Sequence, residues 1–247
     1  MNKPNELLRR RGIYLLPNLF TTAALFSGFY AIIAAINGRY EKAAIAIFVA
    51  LILDGMDGRV ARLTNTQSAF GAEYDSLADM LSFGAAPALI MYLWVLSGLG
   101  ELGMFAAFVH TAGGALRLAR FNTQIATADK RYFQGLPSPA AAAILAGFMW
   151  WCLSYDCNPQ QLTVPALLLT VMTGLLMVSN FRYYSFKDID LKGRVPFIAV
   201  IGMMLGFATI FAKPEIMLFL FFLGYAISGP TVTLILRQRR RRLARSG

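Results

Sequence analysis

The chain has one histidine, two cysteines and only 13 acidic residues among 247. His110, Cys152 and Cys157 cannot furnish the four nitrogen and sulfur ligands of a structural zinc site, and two cysteines are too few for a disulfide scaffold. Charge as a whole is scarce, at 15%, against 57% hydrophobic residues and a mean hydropathy of +0.55. One water-soluble globule of this size cannot bury that much apolar surface, so the composition excludes a soluble protein and implies a membrane-embedded one. The charge that is present is mostly basic, net +10 with a pI near 9.9. On a soluble chain such a balance would point to nucleic acid. Here the placement of the basic residues decides against that partner.

A spanning helix needs about 20 mostly apolar residues. Eight segments qualify, roughly 19–36, 43–63, 77–97, 102–122, 138–154, 163–180, 195–212 and 216–236. Of the 23 lysines and arginines, only Arg39, Lys42 and Lys213 fall in alternate loops; all others lie on one side. The positive-inside rule then puts both termini in the cytoplasm, and an even number of spans agrees. The expected fold class is all-α, a polytopic transmembrane bundle of about eight spans. Residues 1–18 are read as a cytoplasmic interfacial segment, 19–236 as the transmembrane catalytic domain and 237–247 as a basic cytoplasmic tail suited to anionic lipid. The basic N-terminus lacks an evident small-residue cleavage site and is read as retained. Cys152 and Cys157 fall near the extracytoplasmic end of the fifth span, and the sequence leaves their pairing open. His110, in an apolar run, is expected to be a hydrogen-bonded interior residue.

Against this apolar background, Asp54, Asp57, Glu73, Asp75 and Asp79 crowd into one stretch, LDGMDGRVARLTNTQSAFGAEYDSLADM. Carboxylates at membrane depth are costly unless they pair, bind a cation or face a polar cavity. Asp54 and Asp57 are three apart near the end of the second span, and Asp75 and Asp79 four apart at the start of the third. Both spacings put the two side chains on one helix face. The short connection over 64–70 makes the two helices antiparallel neighbours, so four carboxylates converge at one depth. Mutual repulsion there calls for divalent cations, and all-oxygen ligands favour a hard ion such as Mg2+ or Mn2+, two of them bridged by shared carboxylates. Gly58 and Gly71 leave room for a bulky ligand, and Arg62 is positioned to meet a phosphate bidentately. Metal, arginine and glycine together point to a diphosphate with a lipid end.

The run Asp54-x2-Asp57-Gly58-x2-Ala61-Arg62-x8-Gly71-x3-Asp75-x3-Asp79 resembles the signature of the CDP-alcohol phosphotransferase family at all eight fixed positions. The resemblance implies displacement of CMP from a CDP-linked lipid by an alcohol, with two metal ions at the aspartates. It implies that Asp54, Asp57, Asp75 and Asp79 are metal ligands and that Asp79 is also the general base. It further implies that Asp57, Gly58, Ala61, Arg62 and Gly71 contact the CDP-lipid, with Ser68 near the diphosphate. The segment Pro17-Asn18-Leu19-Phe20-Thr21 resembles a second nucleotide-contacting element through Asn18 and Thr21, although taken alone it reads as helix capping after a proline.

The stretches around Arg117-Leu-Ala-Arg120-Phe-Asn122, Gly135-Leu-Pro137-Ser-Pro139 and Ser179-Asn180-Phe-Arg182-Tyr-Tyr-Ser-Phe-Lys187 resemble the phosphatidylserine synthase branch of that family. The substrates so implied are CDP-diacylglycerol and L-serine. Family likeness also implies a homodimer, and the partners expected are lipid and no nucleic acid. A zwitterionic acceptor needs a cation for its carboxylate; Arg117, Arg120, Arg182 and Lys187 are the rivals, with Asn122 as a further polar contact. The same transfer to glycerol 3-phosphate, inositol phosphate or choline, or a divalent-cation transporter, are the competing readings. The location expected is the cell inner membrane, with the active site facing the cytoplasm.

Overall fold

In the computed structural model the described residues are 3–64, 66–124, 132–184, 204, 206, 209 and 211–243. Helix α1 runs over Lys3–Ile36, α2 over Tyr40–Leu63, and a third rod, α3, extends from Ala69 to Leu99. Then follow α4 (Glu101–Gln124), a short strand β1 (Tyr132–Gln134), α5 (Ser138–Ser154), α6 (Pro159–Val178), strand β2 (Arg182–Tyr184) and α7 (Pro214–Leu243). Five of these helices are long and apolar enough to cross a bilayer: Leu16–Ile36, Ala69–Leu99, Glu101–Thr123, Pro159–Val178 and Pro214–Ile235. The chain is therefore an integral membrane protein on its apolar content. The apolar α5 is shorter, at 17 residues. Helix α2 has 24 residues but carries Glu41 and Lys42 at one end and Asp54, Asp57, Arg59 and Arg62 toward the other, so its apolar middle is brief. The span expected at 195–212 lies almost wholly outside the described residues.

Two differences from the sequence expectation are physical. Helix α1 continues through Pro17 as one helix, so the residues before Pro17 are continuous with the first span rather than separated from it at the proline. The bundle is not purely helical either, because β1 and β2 pair antiparallel, Phe133 opposite Tyr183. Three-residue strands are too short to leave a period-two signal in sequence. The ribbon packs on α7, where the buried Tyr183 hydroxyl donates to the Ala226 carbonyl at 3.0 Å. Burial, helped by neighbouring Tyr225, pushes the Tyr183 phenol well above its ordinary range and keeps it a donor.

Small residues set how closely the helices approach. The core holds Ala31, Ala34 and Ala35 of α1, Ala43, Ala44, Ala46 and Ala50 of α2, and the run Ala140–Ala143 of α5. Lipid offers no hydrophobic gain for helix association, so van der Waals contact between near backbones must supply it. Gly113 of α4 and Gly174 of α6 show the limit: a Cβ on Gly113 would strike the Gly174 carbonyl, and one on Gly174 would lie 2.7 Å from the Val109 carbonyl oxygen.

Rod α3 is not a uniform α-helix. An α segment over Ala69–Asp79 passes into a π-helical segment over Met80–Ala85, an α segment over Ala86–Met91, a second π segment over Tyr92–Leu96 and a final 3-10 turn over Ser97–Leu99. π turns disturb the regular carbonyl ladder, and side chains from other helices engage both. His110 Nε2 meets the Phe83 carbonyl at 3.2 Å while Nδ1 pairs with Thr173 at 2.9 Å, and Tyr40 donates to the Leu93 carbonyl at 3.0 Å. His110 is thus the buried structural residue that its apolar surroundings imply.

These contacts set the ends of the bundle. The end of α2, the start of α3, the end of α4 and the start of α5 meet at one end, joined by Asn122–Ser76 and Arg117–Ser138 hydrogen bonds. The end of α6 joins them through Arg120, which donates to the Ser179 carbonyl at 3.4 Å. Lys213, ahead of α7, sits over the Tyr155 ring after α5, at the other end. Gly113→Val, which forces α4 and α6 apart, is expected to lower stability by about 1–3 kcal/mol or more. Gly98→Ala, in open space, is expected to be neutral. Thermal unfolding of the detergent-solubilised protein checks both.

Candidate active site

The site begins with a hydrogen-bonded turn. Thr64 donates to the Val60 carbonyl at 2.8 Å, the buried Thr66 gives its backbone N–H to the Ala61 carbonyl at 3.1 Å, and the Ser68 hydroxyl caps α3 by accepting the Gly71 N–H at 3.0 Å. This reversal turns the chain back so that side chains near the end of α2 and the start of α3 face one another, with α1 packed against both. One carboxylate oxygen each from Asp54, Asp57 and Asp75 consequently lie within 4.8 Å of one another. Asp79, one turn further along α3, is outside that set but within side-chain hydrogen-bonding reach of Asp54, and it faces the charges of Asp75 and Arg117.

Three all-oxygen donors at this spacing suit a hard divalent cation, whose opposed ligands stand about 4–5 Å apart across the ion. Asp54, Asp57 and Asp75 therefore fit a metal, and Asp79 adjoins it. Helix α1 holds the cluster from the other side. Thr21, only 3% exposed, donates to Asp57 Oδ2 at 2.7 Å, and Tyr74 and Thr22 share a hydrogen bond at 2.9 Å. A Cβ on Gly71 would sit 3.1 Å from Ser68 Oγ and 3.4 Å from Asn18 Oδ1, so glycine is what lets α1 come this near.

The expected diphosphate positions border the same cluster. The missing side chain of Gly58 leaves open space whose nearest atom is Arg62 Nη1 at 3.9 Å, with Arg62 itself exposed and Ala61 half-buried on the same helix. Asn18 and Thr21 stand with the signature residues rather than merely at a helix start. The Ser68 oxygen serves as the α3 cap, which leaves its hydroxyl proton free for a second partner.

The five acceptor candidates separate. Arg117 reaches toward the aspartates: Nη1 donates to the buried Ser138 hydroxyl at 2.8 Å, and its charge interacts with Asp79, Asp54 and Tyr225. Its Nε is buried with no hydrogen-bond partner among the described residues. Arg120 instead reaches the end of α6, donating to Ser179 and to Asn180 Oδ1, both at 3.4 Å. Asn122 clamps α4 to α3 by donating to Ser76 at 3.1 Å, next to Asp75. Arg182 is exposed on β2, where its backbone N–H donates to Thr233 at 3.2 Å. Lys187 lies outside the described residues. Sequence reasoning missed Tyr225 altogether, since one tyrosine in an apolar helix gives no signal. Ser138 stood in a quoted motif but without a role.

The family model for CDP-alcohol phosphatidyltransferases matches residues 14–178, which include every aspartate of the cluster, Arg117 and Arg120. The chain belongs to the CDP-alcohol phosphatidyltransferase family. It is therefore an enzyme, and the matched region contains the whole aspartate cluster. A CDP-diacylglycerol–serine O-phosphatidyltransferase of Helicobacter pylori (strain ATCC 700392 / 26695) is 40% identical over 220 residues, 88% of this chain and 90% of that protein. Proteins of the same name are 39% identical over 142 residues in Methanocaldococcus jannaschii, covering 58% of this chain and 63% of theirs, and 38% identical over 142 residues in Saccharomyces cerevisiae, covering 52% and 50%.

Thr21 touches the candidate metal centre through Asp57, one of the three carboxylates that fit a cation. Thr21→Val keeps the shape but removes the hydrogen bond to Asp57, and is expected to weaken Mn2+ binding by about 10–100-fold. A Mn2+ titration followed by electron paramagnetic resonance checks this; unchanged affinity would refute the role.

Proposed function

We propose that the protein transfers the phosphatidyl group of CDP-diacylglycerol to the hydroxyl of L-serine, forming phosphatidylserine and releasing CMP. The relatives' shared name and the near full-length match to one of them support the acceptor. The observation that carries the chemistry is the convergence of Asp54, Asp57 and Asp75 oxygens with Asp79 alongside.

Asp54, Asp57, Asp75 and Asp79 would hold two Mg2+ or Mn2+ ions, which when bound would supply charge stabilisation to the phosphoryl oxygens and the departing phosphate. The remaining work falls to the chain. Asn18, Thr21, Gly58, Ala61, Arg62, Ser68 and Gly71 position the CDP end of the lipid, Gly58 and Gly71 by leaving the backbone open and Arg62 by pairing with phosphate. Arg117, steadied by Ser138, meets the acceptor carboxylate with its unpartnered Nε. That places the serine hydroxyl near Asp79, which accepts its proton as the oxygen attacks the phosphorus carrying the diacylglycerol. The phosphorus–oxygen bond to CMP breaks, and CMP leaves with the bonding pair. Serine is a poor nucleophile without such a base.

The same reading keeps eight spans, with both termini and the aspartates at the cytoplasmic face of the cell membrane, and a homodimeric assembly.

The purified protein with CDP-diacylglycerol, Mn2+ and radiolabelled serine is expected to release CMP in step with labelled lipid. CMP release with another alcohol but none with serine overturns the acceptor. Asp79→Asn, which leaves the other three carboxylates in place, is expected to retain some metal binding while kcat falls by about 10^2–10^4-fold, and a near-normal rate contradicts its role as base. Arg117→Gln is expected to raise the serine KM by about 10–100-fold, the loss of a hydrogen bond to a charged group, with the KM for CDP-diacylglycerol little changed.

A further inference from the structure

The two cysteines are the only thiols in the chain, and they meet at the end of the bundle away from the aspartates. Helix α5 closes there in a left-handed turn. Asp156 has φ of 48°, a conformation that aspartate tolerates better than most residues. Its N–H reaches the Leu153 carbonyl at 3.3 Å, and the Cys157 N–H reaches the Cys152 carbonyl at 3.0 Å. This pair of bonds is a Schellman closure, which folds the side chain two residues past the helix back onto the side chain in its last turn. An apolar contact usually fills that place. Here both side chains in those places are thiols.

We propose that Cys152 and Cys157 are a dithiol–disulfide pair, a modification site that the helix closure holds ready to form. Exposure assigns the order of events, since Cys152 is 2% exposed and Cys157 is partly open. Cys157 loses its proton and attacks a small disulfide oxidant, forming a mixed disulfide and releasing one thiol. Cys152 then gives up its proton, its sulfur attacks that of Cys157, and the second thiol of the oxidant leaves. The net change is two protein thiols oxidised to one disulfide and one oxidant disulfide reduced to two thiols. On the proposed topology this end faces away from the cytoplasm, the side where disulfides persist. Fourteen residues of α5 separate Cys152 from Ser138, about 21 Å along the helix, so the bridge forms without touching the catalytic end.

The test uses the full-length protein in detergent with oxidised glutathione. Wild type is expected to lose two hydrogens in intact mass, to regain them with dithiothreitol, and to unfold at a higher temperature when oxidised. Cys152→Ala is expected to stop at one glutathione on Cys157. Cys157→Ser, with only the buried thiol, is expected to react at least tenfold more slowly. Turnover of oxidised and reduced wild type is expected to agree within twofold. A wild type that keeps glutathione on Cys157, or stays a dithiol where the Cys152→Ala protein is glutathionylated, overturns the proposal. The wild-type mass requires no substitution to fold.

Discussion

The structure is organised by the cost of gathering like charges. Asp54, Asp57 and Asp75 bring carboxylate oxygens within 4.8 Å of one another at the end of a bundle made mostly of apolar helices. Carboxylates this close repel, and at the edge of a low-dielectric bundle that repulsion is weakly screened. A divalent cation turns the arrangement from a liability into a binding site. The surrounding features keep the oxygens together when thermal motion and repulsion would separate them. The hydrogen-bonded turn after α2, the Ser68 cap and the Thr21 hydroxyl on Asp57 each remove a way for the cluster to relax.

Packing elsewhere serves the same end. Alanines and glycines let the helices close up without large side chains, so the backbone positions that carry the aspartates are set by near contact. The first π segment of α3 starts immediately after Asp79 and is engaged by His110 through the Phe83 carbonyl. A regular α-helix would rotate the rest of the rod relative to the aspartates. Arg117 adds the one cation pointed at the cluster from α4, and its link to Ser138 ties it to the start of α5. The four aspartates and Arg117 are thus gathered at one end, and the closure around Cys152 and Cys157 lies at the other.

Much of this was legible in the residues. The three- and four-residue spacings of the aspartates put them on helix faces, and the short connection made α2 and α3 neighbours, because both statements rest on helix geometry alone. Asn18 and Thr21 were singled out by a resemblance, and the structure puts Asn18 beside Gly71 and Thr21 on Asp57. Other features depend on tertiary partners that no local pattern encodes. The π segments exist with carbonyl partners on distant helices, the place of Tyr225 beside Arg117 depends on how α7 packs, and the β1–β2 ribbon is too short for alternation. The distinct position of Asp79, next to the three-oxygen set and not within it, follows from its place one turn further along α3 than Asp75.

The most direct measurement is anomalous diffraction from crystals of the full protein soaked in Mn2+. The account predicts a manganese peak coordinated by oxygens of Asp54, Asp57 and Asp75. Ordered manganese elsewhere, with those carboxylates turned apart and no peak between them, would contradict it.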